Sequence, residues 1–282
     1  MGRKHRAIES KSERRTKNLF SGLLILYCSI IVFLISTTVL SSFKTKSDLV
    51  YNTIGFPKQF TLESYKVLIT QEHFLRWYLN SILLTVTAIA TIVTISSTTA
   101  YGLSRYRFKG AVFLQNLFLL GLMFPIQLGI LPIFIMLRRV HLVNNFAGLI
   151  LLYAANMSFP VFIFSMFFRT LPYTLSDAAK IDGAGELTIF WRVMLPLSKP
   201  VIATICLLST ITVWNDFFFP LVFLTKRSMK TVTLGVYQYM SDFLSNWHLV
   251  FAAATLSLIP IMILFTFFSS HIVSGITSGS VK

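Results

Sequence analysis

Six apolar runs leave most of this chain one kind of solvent. They fall at about residues 19–40, 78–103, 112–137, 146–168, 201–224 and 249–273, and no Lys or Arg lies inside any of them. Each is as long as the roughly 20 residues that carry a helix across about 30 Å of hydrocarbon. Lipid offers no hydrogen bonds, so a crossing segment must pair its own N–H and C=O groups, which a helix does within itself. The expected fold class is an all-α membrane protein with six transmembrane helices. Composition agrees, since 12% of the residues are charged, about half the share of a soluble domain.

The formal net charge of +15 would point to nucleic acid in a soluble protein. Here the basic residues sit between the runs, where they orient the chain in a membrane instead. Six crossings put both termini on one side. That side comprises the tail 1–18, the turn at Arg105, Arg107 and Lys109, the loop 171–200 and the C-terminus. It holds fifteen Lys and Arg against ten on the other, so it is expected to be cytoplasmic. Residues 1–18 read as a basic cytoplasmic tail that also meets anionic lipid, and residues 19–282 as the transmembrane domain. No run with a small-residue cleavage site follows the tail, so no removed signal peptide is expected. Cys28 and Cys206 lie in apolar runs and read as buried thiols. His5, His73, His141, His248 and His271 have no ligand spacing. No metal site, no catalytic constellation and no nucleic-acid partner is expected.

Several runs carry residues that lipid does not favour. The third holds Pro125, Gly129 and Pro132, breaks that persist where protein or a water-filled cavity covers the freed backbone. The fourth holds Asn156 and Pro160, and the fifth Trp214-Asn215-Asp216. Between the runs, residues 61–69 read as a surface helix and residues 225–247 as a polar loop.

The loop 171–200, LPYTLSDAAKIDGAGELTIFWRVMLPLSKP, carries both charge signs between two apolar runs. Thr174 and Asp177 have the spacing of a helix cap with a carboxylate at its third position. Residues 177–182 then make about two turns. Gly183 stops them, because glycine takes the left-handed conformation at low cost. A second short helix from Glu186 is expected to break at Leu195-Pro196. The result is a bent two-helix knob with a small edge of Ala178, Ala179 and Gly183, which another protein's backbone could approach closely.

That knob resembles the cytoplasmic coupling motif of ABC importer permeases: Glu-Ala-Ala, three residues, Gly, nine residues, Ile, one residue, Leu-Pro. Asp177-Ala178-Ala179, Gly183, Val193 and Leu195-Pro196 stand at those spacings, with Asp177 in place of the usual Glu and Val193 in place of Ile. Tyr78-Leu79-Asn80-Ser81, Leu131-Pro132-Ile133, Trp214-Asn215-Asp216-Phe217 with Pro220, and the ending Gly275 to Lys282 resemble maltose-type carbohydrate permeases in the same order. The resemblance implies the type I ABC importer permease fold in a bacterial inner or plasma membrane. It implies four kinds of partner: a sister permease, often making a heterodimer, two ATPase subunits on the cytoplasmic loops, an extracytoplasmic sugar-binding protein and the bilayer. ATP and Mg belong to the ATPase, since this chain has no phosphate loop of the Gly-x-x-x-x-Gly-Lys-Ser/Thr type. The chain would be a transport subunit and not an enzyme.

A sugar needs hydrogen-bonding groups, and within the spans these are few. Asn156, Asn215, Gln127, Asp216 and Asn80 are the candidates for a substrate path, set against simple helix-to-helix bonding. A permease for another solute, such as a polyamine, phosphonate or metal chelate, shares the coupling motif; only the other family-like segments favour sugar. A secondary transporter is disfavoured, because there is no inverted repeat and no chain of intramembrane carboxylates.

Overall fold

The computed structural model describes residues 11–70, 73–241 and 246–277. Most of the basic tail and the family-like ending beyond Thr277 lie outside the described residues.

Helix α4 (Phe74–Arg105) is the axle of the bundle, 32 residues without a break, or about 48 Å. Its buried residues Phe74, Trp77, Ser81, Leu84, Ala88, Ile92, Ser96, Ala100 and Leu103 recur at three and four, so they share one face. The small ones let neighbouring backbones approach. Ser96 bonds back to the Ile92 carbonyl at 2.6 Å, which satisfies its hydroxyl inside the packing. Helices α7 (Phe146–Ala155), α8 (Ser158–Thr170) and α12 (Lys199–Trp214) pack along α4. Phe164, Phe168, Leu149, Ile205 and Met194 meet it in one apolar core.

Three helices are long and apolar enough to cross a membrane, and three further pairs could each count as one bent crossing. The unbroken ones are α1 (Lys11–Ser42), α4 and α15 (Trp247–Thr277). α7 and α8 bend by 49° ahead of Pro160, which falls in the first turn of α8, where its missing N–H is not needed. The third expected crossing is not straight. α5 (Ala111–Gly121) and α6 (Ile130–Arg139) meet at 95° across Pro125 and a 3-10 turn, Ile126–Gly129. The fifth ends where Trp214-Asn215-Asp216 was expected to run through it. The Asn215 amide bonds back to the Ile211 carbonyl at 3.0 Å. Asp216 takes the Phe218 and Phe219 N–H groups at 2.9 and 3.4 Å, opening α13 (Phe218–Phe223).

The described part of 225–247 is a packed element rather than a polar loop. It contains α14 (Val232–Ser241), and Val232, Leu234 and Tyr239 are buried. The Trp77 indole donates to the Arg227 carbonyl at 3.2 Å, and the Asn80 amide to the Ser228 and Lys230 carbonyls at 3.0 Å each. The Val232 N–H donates to Ser81 at 2.9 Å. Short-range hydrophobicity hides this, because the segment's partners lie on α4, some 150 positions away in sequence. Two shorter helices, α2 (Lys46–Tyr51) and α3 (Glu63–Thr70), close the same end; the latter matches the expected surface helix. There Lys44 is fully buried and donates to the Asn52 and Thr53 carbonyls at 2.6 and 3.2 Å. α1 packs against α15 and leaves Leu19 to Ile35 bare, including Cys28, which is exposed rather than buried. Cys206 is half-buried.

Candidate functional site

The loop 171–200 forms an elbow at the C-terminal end of α4. Its first arm, α9, spans Thr174–Ile181. The expected Thr174 cap is not made. Tyr173 is already helical (φ −65°, ψ −28°) and its carbonyl accepts from Ser176 and Asp177 at 2.9 and 3.1 Å. The helix thus begins one residue early, and Thr174 lacks the extended backbone an N-cap needs.

Gly183 does what the sequence implies. Its φ is +79°, and it closes α9 with a pair of backbone bonds: Gly183 N–H to Lys180 at 3.0 Å and Ala184 N–H to Ala179 at 2.9 Å. This is the Schellman arrangement, with glycine at the left-handed position.

The second arm runs continuously through α10 (Glu186–Ile189), a π turn (Phe190–Met194) and α11 (Leu195–Leu197). Pro196 does not break it. The Leu195 N–H reaches five residues back to Phe190, and the widened turn accommodates the ring and the missing N–H of the proline. The break falls at Ser198, whose N–H and hydroxyl both bond the Met194 carbonyl, at 3.2 and 2.7 Å. From there α12 leaves at 75°.

Four side chains weld the elbow to the bundle. Glu186 pairs with Lys180 at 2.8 Å and accepts from the Tyr106 hydroxyl and, at 3.4 Å, from Tyr101. The hydrogen bond from Lys180, then that from Tyr106, holds the Glu186 carboxyl below its ordinary value. Burial, then its bond to Glu186, pushes Tyr106 up. Tyr101 is buried against Phe190 and Phe168, with ring centroids 5.3 and 5.9 Å away. Arg105 donates to the Leu171 carbonyl at 2.9 Å and lies 4.7 Å from the centre of the Tyr173 ring. None of these four was singled out from sequence for this role. The signal for Glu186 was only a charge in a loop, and its hydroxyl partners stand 80 and 85 positions upstream.

The motif residues divide between two faces. Ala179, Val193 and Leu195 pack on the core behind the fully buried Ile189 and Met194. Asp177, Ala178, Gly183 and Pro196 are exposed, and Asp177 makes no side-chain hydrogen bond among the described residues. Beside them Ile181 is 87% and Leu187 77% exposed. The elbow therefore has a packed interior, in which Ser176 Oγ and the Arg105 Nε and Nη1 are buried without a hydrogen-bond partner, and a bare apolar rim.

The polar candidates do not sit together. Asn156 ends α7 and lines a cleft of about 130 Å³ with Ser209 and Thr212. Asn215 lines another, of about 500 Å³, with Thr233, Tyr237 and Ser257. Gln127 is exposed at the turn between α5 and α6. Asp216 accepts from the Tyr153 hydroxyl at 2.6 Å, and Asn80 is engaged with the 228–230 carbonyls, so both bond within the chain.

Residues 92–278 match the family model described as the binding-protein-dependent transport system inner membrane component. The arabinooligosaccharides transport system permease protein AraQ of Halalkalibacterium halodurans is 32% identical over 278 residues, covering 96% of this chain and 99% of that one. The diacetylchitobiose uptake system permease protein NgcG of Streptomyces coelicolor is 30% identical over 276 residues, 97% and 91% of the two chains. Among solved structures, one chain of a bacterial ABC transporter involved in import of the acidic polysaccharide alginate superposes with a TM-score of 0.83 at 24% identity, covering 94% of this chain and 99% of that one. The fold is that of a type I ABC importer permease, a multi-pass membrane protein and not a catalytic subunit. With most of its length inside the matched region, and relatives 30% and 32% identical over 97% and 96% of it, this chain belongs to the family of binding-protein-dependent transport system inner membrane components.

Proposed function

We propose that this chain is a permease subunit of an ATP-driven, binding-protein-dependent importer of oligosaccharides, and that Asp177, Ala178, Ala179, Gly183, Val193, Leu195 and Pro196 couple it to the ATPase. The observation that carries the coupling role is the elbow itself: its inner face is fixed to α4 and α12, and its rim of Ala178, Ile181, Gly183 and Leu187 is bare. A partner that grips this rim moves both helices with it. The solute class rests on the relatives, whose names specify arabinooligosaccharides and diacetylchitobiose.

A sister permease is the natural cover for the bent pair α5 and α6. Met123, Phe124 and Leu128 are 70–76% exposed at a break that lipid alone would leave unsupported. Asn156, Asn215 and Gln127 are the polar groups left for the path, while Asn80 and Asp216 serve it through the geometry they hold. The elbow and both termini face the cytoplasm, as the charge bias favours. The other end, with Lys226 and Arg227, faces the binding protein.

The test is reconstitution of the co-purified permeases, ATPase and binding protein into liposomes, with uptake of labelled oligosaccharides scored beside ATP hydrolysis. Uptake of a polyamine or phosphonate in place of oligosaccharide would refute the solute class. Cysteines at Thr188 and Gln59, both exposed, test orientation; labelling of Thr188→Cys from outside the cell would refute it.

A further inference from the structure

We infer that the junction of α4, α5 and α8 binds an anionic phospholipid, with its phosphate among Arg105, Arg107 and Arg169 and an acyl chain between α5 and α8. Two adjoining cavities support this. The first, of about 740 Å³, is lined by the three arginines together with Tyr106, Tyr173 and Val112. None of the three arginines forms a salt bridge with a carboxylate among the described residues. The second, of about 110 Å³, shares Leu103, Gln115 and Arg169 with the first and continues between Leu119 and Phe162.

The combination selects among ligands. A free phosphate would use the arginines and leave the apolar groove empty. A neutral lipid would use the groove and leave three positive charges without an anion. A phospholipid with net negative charge satisfies both, and the arginines terminate apolar helices where a headgroup lies. Which leaflet supplies it rests on the orientation proposed above; the binding itself does not.

The site adjoins the elbow. Arg105 lines the cavity while its Nη2 holds the Leu171 carbonyl and its guanidinium lies over Tyr173, which lines the cavity too. A headgroup phosphate would therefore press on the residues that fix the start of α9.

The experiment uses the complete transporter in phosphatidylcholine nanodiscs containing a trace of spin-labelled phosphatidylglycerol or phosphatidylcholine. The parent should immobilise phosphatidylglycerol in preference. A basic side chain near an anionic group contributes about 1 kcal/mol, roughly fivefold in selectivity. Arg107→Ala with Arg169→Ala should therefore cut the preference by about tenfold or more. Arg138→Ala with Arg139→Ala, at the end of α6, should leave it unchanged. Asn116→Trp fills the groove while leaving all three arginines in place and should release both labelled lipids, which keeps the test open if the arginine pair fails to assemble. Equal immobilisation of the two lipids by the parent would overturn the site. So would retention of the preference in the double arginine variant, or of both labels in Asn116→Trp. Complete displacement by inorganic phosphate would identify a free-anion site and overturn the lipid. None of these readings requires transport, so they stand apart from the solute and coupling proposals.

Discussion

Gly183 separates what the elbow requires of its own backbone from what a partner requires of its surface. Its φ of +79° lies in the region L-residues avoid, and a Cβ built there meets nothing within 4 Å. The cost of Gly183→Ala within this chain is therefore backbone strain alone, about 1–2 kcal/mol. That shifts the local folding equilibrium of the elbow roughly 5–30-fold. Gly183→Leu carries the same strain, and its extra bulk is free of charge in the isolated chain. Gly183→Asn carries less strain, because asparagine tolerates the left-handed conformation, yet it is bulkier than alanine. Elbow stability, read by hydrogen exchange of residues 174–189, should rank Asn above Ala, with Leu close to Ala. Coupling, read as substrate-stimulated ATP hydrolysis and uptake in the reconstituted complex, should instead rank by size, with Ala least affected and Leu most. The two orders differ only if a partner occupies the space beside Gly183. If coupling follows strain, with Leu and Ala equal and Asn the mildest, the rim is not gripped and the coupling argument fails.

Other perturbations address the supports. Lys180 holds the Glu186 carboxyl below its ordinary 4.5, so the tether is complete above that pH and is lost as pH falls through the depressed value. Hydrogen exchange in α9 and α10, corrected for intrinsic rate, should rise in that acid range, and Glu186→Gln should remove the step. Tyr153→Phe deletes the 2.6 Å bond to Asp216 and should lower stability by roughly 1 kcal/mol, the scale of such bonds in membrane bundles, read as the unfolding midpoint in detergent. Gly235→Ala would place a Cβ 2.2 Å from the Trp77 ring, and overpacking of that kind costs about 1–3 kcal/mol; an unchanged midpoint would show that α14 does not seat on α4 as described. Ala90→Pro, on the exposed side of α4, should cost about 3 kcal/mol and reduce uptake more than ATP hydrolysis.

How much of this was legible follows the range of the interactions. The crossings, the left-handed Gly183 and the helix over α9 depend on residues a few positions apart, and the sequence carries them directly. The start of α9 was misplaced because Pro172-Tyr173 begins the turn before Thr174, and a cap pattern does not register what precedes it. The continuous second arm was missed because a π turn absorbs Pro196, an accommodation with no residue signature of its own. Asn80 and Asp216 read either as groups on a substrate path or as helix-to-helix bonds, and their partners are not legible nearby in the sequence. The carbonyls of 228–230 and the Tyr153 hydroxyl that hold them are 63–150 positions distant. The packing of 225–241 against α4 was hidden for the same reason.

The bonds that hold the elbow and those that hold residues 227–232 share one member, α4, and under the proposed coupling a push at the elbow would reach the far end through it. At its C-terminal end α4 holds the elbow through Tyr101, Arg105 and the adjoining Tyr106. At its N-terminal end it holds residues 227–232 through Trp77, Asn80 and Ser81. Between Ser81 and Tyr101 the helix is unbroken over about 30 Å, while α7 gives way to α8 near mid-length and α12 stops at Trp214, ahead of α13. A continuous helix transmits a displacement along its axis with little loss; a bent pair yields at its bend. Asn156 stands at the bend between α7 and α8, and Asn215 where α12 ends. Under the proposed coupling, the broken helices would change angle around these polar groups while α4 keeps both ends in register.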